Sequence, residues 1–344
     1  MERIQSVDVF RLVAIVAVII IHTTPFYLDI SDGGKSYGIT FVVIDQFSRF
    51  AVPFFFAISG YFWGAKTREN GIESASALMT TKRVGIILLA WSFIYLLPYN
   101  ISSIVDYGIL GPIKVVYWDV LNLAGHPLRT LMQGSKEHLW FLVGLLFAVN
   151  ISAFLIKRKL LKTLISISVI LYFVGVAAKA YIDTPIGIEL NFNTRNGPFM
   201  SLLLFVSGYI LSGIPNSSRW AIIGVFVFLV GSGIQFLELY VLSRYFETTM
   251  IQDYVFGTYF MGLGVALIAL SNHRKFRISF LGKIGTMTLG IYAVHLIFVD
   301  LLRPVDARTD NIFWEIAYIF LVFGFSIISV IFLSRFKLTR QIVV

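Results

Sequence analysis

The sequence contains no cysteine. That excludes disulfides, thiolate catalysis and zinc–thiolate sites, and it leaves the redox compartment open. Charge is also scarce, at 14% of residues against about 25% in a soluble domain. Short segments of alternating polarity are missing, which excludes the pattern of a transmembrane β-barrel. There is no repeat of fixed period and no low-complexity tract. The first apolar run is too long for a cleaved signal segment and is followed by no A-x-A site, so it reads as a retained signal anchor.

What fills the chain instead is apolar sequence: 57% of its 344 residues are hydrophobic, and the mean hydropathy is +0.82. Stretches of roughly 20 apolar residues recur, each long enough to span a bilayer. The expected fold is an all-α polytopic integral membrane protein with about ten transmembrane helices. They are placed at 7–26, 40–63, 83–100, 139–156, 163–181, 198–213, 220–241, 252–271, 284–302 and 312–334. The stretch 101–138, with Tyr107, Pro112, Trp118 and Pro127, suits an interfacial or re-entrant segment. With the N-terminus inside, seventeen Lys and Arg fall in cytoplasmic segments and nine on the other side. That bias puts both termini in the cytoplasm. It also accounts for the net charge of +9 without a nucleic-acid partner. No soluble domain is expected after the last span, so 1–344 reads as one membrane domain.

Five polar positions interrupt the apolar runs. Arg11 and His22 are separated by ten apolar residues. Eleven helical positions turn about 1100°, so the two share a face, about 16 Å apart along the axis. Asp8 lies one turn before Arg11 and can pair with it. Either residue alone is also explained by snorkelling to an interface; the joint spacing points to function, since intramembrane charge is costly. In RFAVPFFFAISGYF, Arg49 lies inside the second span, and Pro53 frees its carbonyl from the helical bond. His138 and Trp140 open the fourth span. Arg195, in TRNGPF, precedes the sixth. In the ninth, Tyr292 and His295 share a face at i, i+3, with Thr288 two turns back. A simple packing role remains open for each. Depth and topology together place His22, Arg49, His138, Arg195 and His295 around one outward-opening polar cavity, with Arg11 alone near the cytoplasm. His126 and His273 read as solvated loop residues.

These stretches together resemble the bacterial membrane acyltransferase type 3 family. Arg11 and His22 fit its motif of an Arg, ten residues, then a His, with Asp8 at the acidic position before it. RFAVPFFFAISGYF is similar to the second-span motif, with Arg49 at its polar position. HLWFL, RNGPFMSLLLFVSGYIL and LGIYAVH follow in the family's order. The resemblance implies transfer of an acyl group, usually acetyl, from cytoplasmic acetyl-CoA to a hydroxyl of an envelope sugar outside. Relatives often carry a soluble esterase-like domain, which is not expected here.

The leading expectation is therefore a bacterial inner-membrane O-acetyltransferase. Its acceptor is a surface polysaccharide such as O-antigen, or the lipid-linked precursor. Arg11 and Asp8 are assigned to the donor. The extended pantetheine arm of acetyl-CoA is of the same order as the Arg11 to His22 separation, which puts phosphates near Arg11 and the thioester near His22. His22 is the expected general base, Arg49 or Arg195 the oxyanion or acceptor partner, and His295 a further catalytic residue. His138, Tyr292 and Trp140, with Arg195, are expected to hold the acceptor. No residue stands out as an acyl-enzyme nucleophile, so direct transfer is favoured; no metal is expected. Two other classes fit less well. A glycolipid transporter or flippase would show an inverted repeat or paired broken helices, and the third reading is a membrane sensor or scaffold with no catalysis, such as the membrane half of a split system.

Overall fold

The computed structural model describes residues 3–25, 35–70, 73–309 and 311–343. Among them the chain is all helix, with no strand. In order the helices are α1 (Gln5–Thr23), α2 (Lys35–Ser48), α3 (Ala51–Asn70), α4 (Glu73–Ile94), α5 (Ile104–Tyr107), α6 (Gly111–Gly125) and α7 (Pro127–Gln133). They continue as α8 (Trp140–Lys157), α9 (Leu161–Ala177), α10 (Pro198–Leu211), α11 (Arg219–Phe246) and α12 (Phe256–Leu270). The last are α13 (Ser279–Gly285), α14 (Thr288–Asp306), α15 (Ile312–Ser334) and α16 (Lys337–Val343).

Seven stretches are helices long and apolar enough to cross a membrane: Gln5–Thr23, Gly38–Glu69, Ala75–Ile94, Glu137–Lys157, Arg219–Phe246, Thr288–Asp306 and Ile312–Ser334. The fifth, sixth and eighth expected spans are shorter apolar helices, Leu161–Ala177, Pro198–Leu211 and Phe256–Leu270. The protein is a multi-pass membrane protein.

Helix α1 lies in the centre, packed among α3, α12, α13, α14 and α15. Val7, Ala14, Ile15 and Ile19 are sealed on every side. α12 is likewise buried along most of its length, from Met261 to Leu270, as an all-round apolar helix should be. α3 and α10 pack through matching Ser-Gly-Tyr triplets. A Cβ on Gly60 would strike the Phe205 carbonyl, and one on Gly208 the Ala57 carbonyl. Small residues allow that backbone approach between membrane helices.

Several expected boundaries move. The end of the first span, at 26, lies outside the described residues; α1 itself stops at Thr23, where Thr24 turns left-handed and its N–H bonds the Ile20 carbonyl. The second span is two helices, because the backbone breaks at Arg49–Phe50, just ahead of Pro53. The third runs from Glu73 to Ile94 rather than 83–100. Ser76 and Ala77 are buried, so its polar start packs like a core turn, and Pro98 disfavours helix for the residue before it. The eighth begins only at Phe256, and the ninth at Thr288 after a break at Thr286–Met287. The stretch 101–138 forms short helices with exposed side chains, Ile109, Ile113, Tyr117 and Trp118 among them.

Candidate active site

The local structure around each histidine fixes where its ring sits. His22 occupies the last turn of α1. His138 sits in a single 3-10 turn, Glu137–Leu139, that leads into α8. His295 lies within α14 and is fully buried, as is His138. The three rings meet. Their centroids are 5.2 Å apart for His22 and His295, 5.3 Å for His138 and His295, and 6.5 Å for His22 and His138. Tyr95 and Tyr292 flank His138, at 5.1 and 5.2 Å. The Tyr292 hydroxyl donates to the His138 carbonyl oxygen.

The tautomer of His295 follows from its partner. Its Nδ1 lies 2.7 Å from the Tyr292 carbonyl oxygen. A carbonyl only accepts, so Nδ1 carries the proton of the neutral ring and Nε2 keeps its lone pair. Nε2 is buried without a hydrogen-bond partner, and so are both ring nitrogens of His138. Buried polar groups left unpaired are costly. Among the described residues no group of three or more His, Asp or Glu is arranged as a metal-ligand set.

A second cluster gathers at the break between α2 and α3. Arg49 makes a bidentate contact with Asp45, Nε to Oδ2 at 3.0 Å and Nη2 to Oδ1 at 2.8 Å. Its Nη1 donates to Asp253 at 3.0 Å. The same Asp253 receives Arg195 at 3.3 Å and Lys179 at 2.9 Å. Three cations thus face two carboxylates. Burial works to raise the pKa of Asp253, but Arg195, Arg49 and Lys179 outweigh it and hold the carboxyl below the usual carboxylate range. The loop carrying Asp253 is anchored by Glu238 of α11, whose carboxylate accepts the N–H groups of Phe256 and Gly257 at 3.1 and 2.7 Å. A carboxylate is the natural cap for a helix N-terminus. The Arg195 guanidinium lies 5.2 Å over the Trp140 ring, and its Nε is buried with no partner. Trp140 is followed in α8 by Phe141, whose ring contacts Tyr292 at 5.4 Å, so the start of α8 links the two clusters.

A cavity of about 520 Å³ approaches the histidines from the other direction. Arg11, Lys66 and Arg83 line one part of it; Val18, Phe141 and Tyr292 line another. Val18 is one turn short of His22 on α1. Phe141 and Tyr292 are in ring contact at 5.4 Å, and Tyr292 touches His138. Arg11 is held by Asp8 at 3.0 Å and by the Phe62 ring at 5.1 Å; Asp8 also pairs with Arg3 at 2.7 Å. The cavity therefore follows α1 from Arg11 to Val18 and ends at Tyr292, next to His138.

The structure thus brings His22, His138 and His295 into contact, packs Tyr292 on His138, and gathers Arg49 and Arg195 on Asp253 with Arg195 over Trp140. The expected open cavity around all five is instead a packed cluster, because His138 and His295 are closed off from solvent. His126, bonded to the Asn122 carbonyl, and His273, which accepts from the Lys275 N–H, stay apart from it. Sequence reasoning missed Asp45, Lys179, Asp253 and Tyr95. Asp45 had a signal, four residues before Arg49. The other three have none, since their partners lie far along the chain.

Two curated proteins of Enterococcus faecalis, both named amino-acid racemase, are similar to this chain. One is 25% identical over 231 residues, the other 27% over 239. The matches cover 63% and 67% of this chain but only 29% and 30% of those proteins. The chain therefore spans under a third of the length of these curated relatives. No solved structure matches it significantly. The acyltransferase 3 family, described as an acyltransferase domain, matches residues 4–335, and the chain belongs to that family.

Proposed function

We propose that the protein is an inner-membrane O-acetyltransferase. It moves an acetyl group from cytoplasmic acetyl-CoA to a sugar hydroxyl of a surface polysaccharide such as O-antigen, or of its lipid-linked precursor. The carrying observation is the 520 Å³ cavity lined by Arg11, Lys66 and Arg83 and by Tyr292, whose ring packs on His138. Its cations suit the donor's phosphates, its apolar middle suits the pantetheine arm, and its far end delivers a thioester to the imidazoles. The acceptor hydroxyl comes from the opposite side. His22 takes the hydroxyl proton as the oxygen attacks the thioester carbonyl. Arg195, with its unpaired Nε, stabilises the oxyanion, and Arg49 shares that role. The C–S bond then breaks, and the imidazolium returns its proton to the departing thiolate. The products are an acetyl ester and free CoA, with no acyl-enzyme. Tyr292 and Trp140 orient the reacting groups.

In this reading there are ten crossings, and both termini and the basic segments near Lys159 and Arg340 face the cytoplasm. Reporter fusions at those two positions read the sidedness directly. The racemase named for the longer relatives is not assigned to this chain. The test of function is purified protein in proteoliposomes with radiolabelled acetyl-CoA and envelope glycan. Label in the glycan is the expected result. Movement of unmodified glycolipid without label transfer would instead identify a transporter.

A further inference from the structure

On the side of the histidine cluster away from Arg11, α14 continues past His295 to a second cavity of about 530 Å³. Asn100, Ser102 and Asp106 line it from one side, and Asp300, Arg303 and Arg308 from α14 and its end. We infer that this cavity is an acceptor subsite for a neutral sugar unit carried at the membrane surface. The inference rests on the acyl-transfer reading for its purpose, but its binding chemistry stands on its own.

Three observations carry it. First, the polar groups are balanced: two carboxylates face two guanidiniums, Arg308 being paired with Asp106 at 3.3 Å, and the Asn100 amide and the Ser102, Ser103 and Tyr107 hydroxyls complete the lining. A free anion would meet Asp106 and Asp300, whereas a polyhydroxyl ligand both donates and accepts. Second, Asp300 is buried, yet one of its oxygens is open. Its Oδ2 receives the Tyr99 hydroxyl at 2.5 Å and Lys136 Nζ at 2.7 Å. Its Oδ1 faces Arg303 at 3.8 Å, too long for a hydrogen bond, so it remains an acceptor for a ligand hydroxyl. Third, the subsite is coupled to the chemistry. Asp300 lies five residues beyond His295, about 7.5 Å along the helix and about 140° round it, so the link between them runs through neighbouring side chains. Tyr99 packs on Tyr95 at 5.6 Å, and Tyr95 on His138 at 5.1 Å. The Tyr95 hydroxyl donates to the Ala293 carbonyl at 2.8 Å, which ties the wall to α14. The neighbouring α6 exposes Ile113, Tyr117 and Trp118, side chains that suit the membrane interface, where a membrane-borne glycan presents its sugars.

The test uses Asp106→Asn and Arg303→Gln in the full chain, since both side chains are about half exposed or more and neither change empties a core. The probes are oligosaccharides released by mild acid from the envelope of the producing cell, and a glycolipid extract of the same cells. Saturation-transfer NMR should show binding to the wild type, weakened about tenfold in each variant, as expected for loss of a hydrogen bond to a charged group. Acetyl transfer on the same samples should show KM for the glycan rising while kcat and acetyl-CoA affinity hold. Binding of the free oligosaccharide would assign a polymer as the sugar's source, and binding of the glycolipid alone would assign a lipid-linked precursor; both support the subsite. Equal binding and equal KM in the variants would overturn the subsite and leave the transferase reading intact. Wild-type binding that the variants weaken, without any acetyl transfer, would overturn the transferase reading and leave the subsite. No binding of either probe by the wild type overturns the subsite outright.

Discussion

Arg49 and Asp253 lie 204 residues apart in the chain and meet at 3.0 Å. That contact closes the site. It ties the break between α2 and α3 to the loop before α12, and through Arg195 and Lys179 it reaches the segments flanking α9 and α10. The donor cavity, by contrast, is framed largely by α1, α3, α4, α8 and α14. The histidines sit where these two sets of elements meet, the place the proposed transfer assigns to its chemistry.

Asp253 should be a stability residue as well as an organiser of the arginines. Replacing it by Asn leaves Arg49, Arg195 and Lys179 with Asp45 as the one remaining carboxylate of the cluster. Breaking a buried ion pair typically costs about 3–5 kcal/mol. The sign with pH is set by its lowered pKa. The stabilisation is fully present above the unfolded-state value of about 3.9 and is lost as pH falls below it. Thermal unfolding of purified protein should therefore weaken below about pH 4, and Asp253→Asn should lower the midpoint at neutral pH while flattening that acid slope. An unchanged slope would mean the cluster does not hold its charge as described.

Arg11→Ala should weaken acetyl-CoA binding with the protein still inserted. A hydrogen bond to a charged group contributes about 1.5–3 kcal/mol, so a loss of about tenfold or more in affinity is expected. Isothermal titration in detergent reads it. Arg11→Lys should recover part of the loss, because the point charge survives but the planar fork does not. Normal affinity in the alanine variant would leave Arg11 as no more than the partner of Asp8.

How much of this was legible depended on periodicity. The apolar runs, the Arg11–His22 stripe and the Asp8–Arg11 pair are all local patterns, and each is present in the structure. At Arg49 the sequence showed only a turn loosened by Pro53 within one span; that the chain breaks there into two helices was not read. The Asp253 cluster was hidden because an isolated acid in a loop carries no mark of its partners. Lys136 and Asp300, 164 residues apart, were hidden for the same reason. The cavity beside α1 was half visible: Lys66 and Arg83 read as topology signals, and only packing shows that they share a cavity with Arg11. The stretch 101–138 lacked a strong period, and its short helices are held by contacts that no window of sequence contains.

The packing of α3 on α10 offers a test independent of chemistry. Gly208→Ala puts a methyl group against the Ala57 carbonyl, and backbone on both sides cannot yield as a side chain can. Overpacking of a core typically costs about 1–3 kcal/mol. The variant should accumulate to a lower level in membranes and melt earlier, and Gly60→Ala should behave alike. Gly38→Ala, where a Cβ meets nothing, is the control expected to match the wild type.

The sharpest prediction separates His22 from His295. Both rings sit in the cluster, 5.2 Å apart, but they are held differently. His295 is fixed in one tautomer by the Tyr292 carbonyl and is sealed from solvent. His22 ends α1 and is only partly buried. A base that must meet an incoming hydroxyl belongs at the accessible position, and a ring that orients it belongs at the sealed one. His22→Ala should therefore lower acetyl transfer by about 10²–10⁴-fold while donor affinity stays near wild type. His295→Ala removes a buried ring from the packed cluster, so it should cost stability as well as activity. The decisive measurements are transfer rate, acetyl-CoA affinity and melting midpoint on the same purified variants. Near-wild-type transfer by His22→Ala would remove that residue from the mechanism. The base would then be His295, whose Nε2 already carries the free lone pair that the role requires.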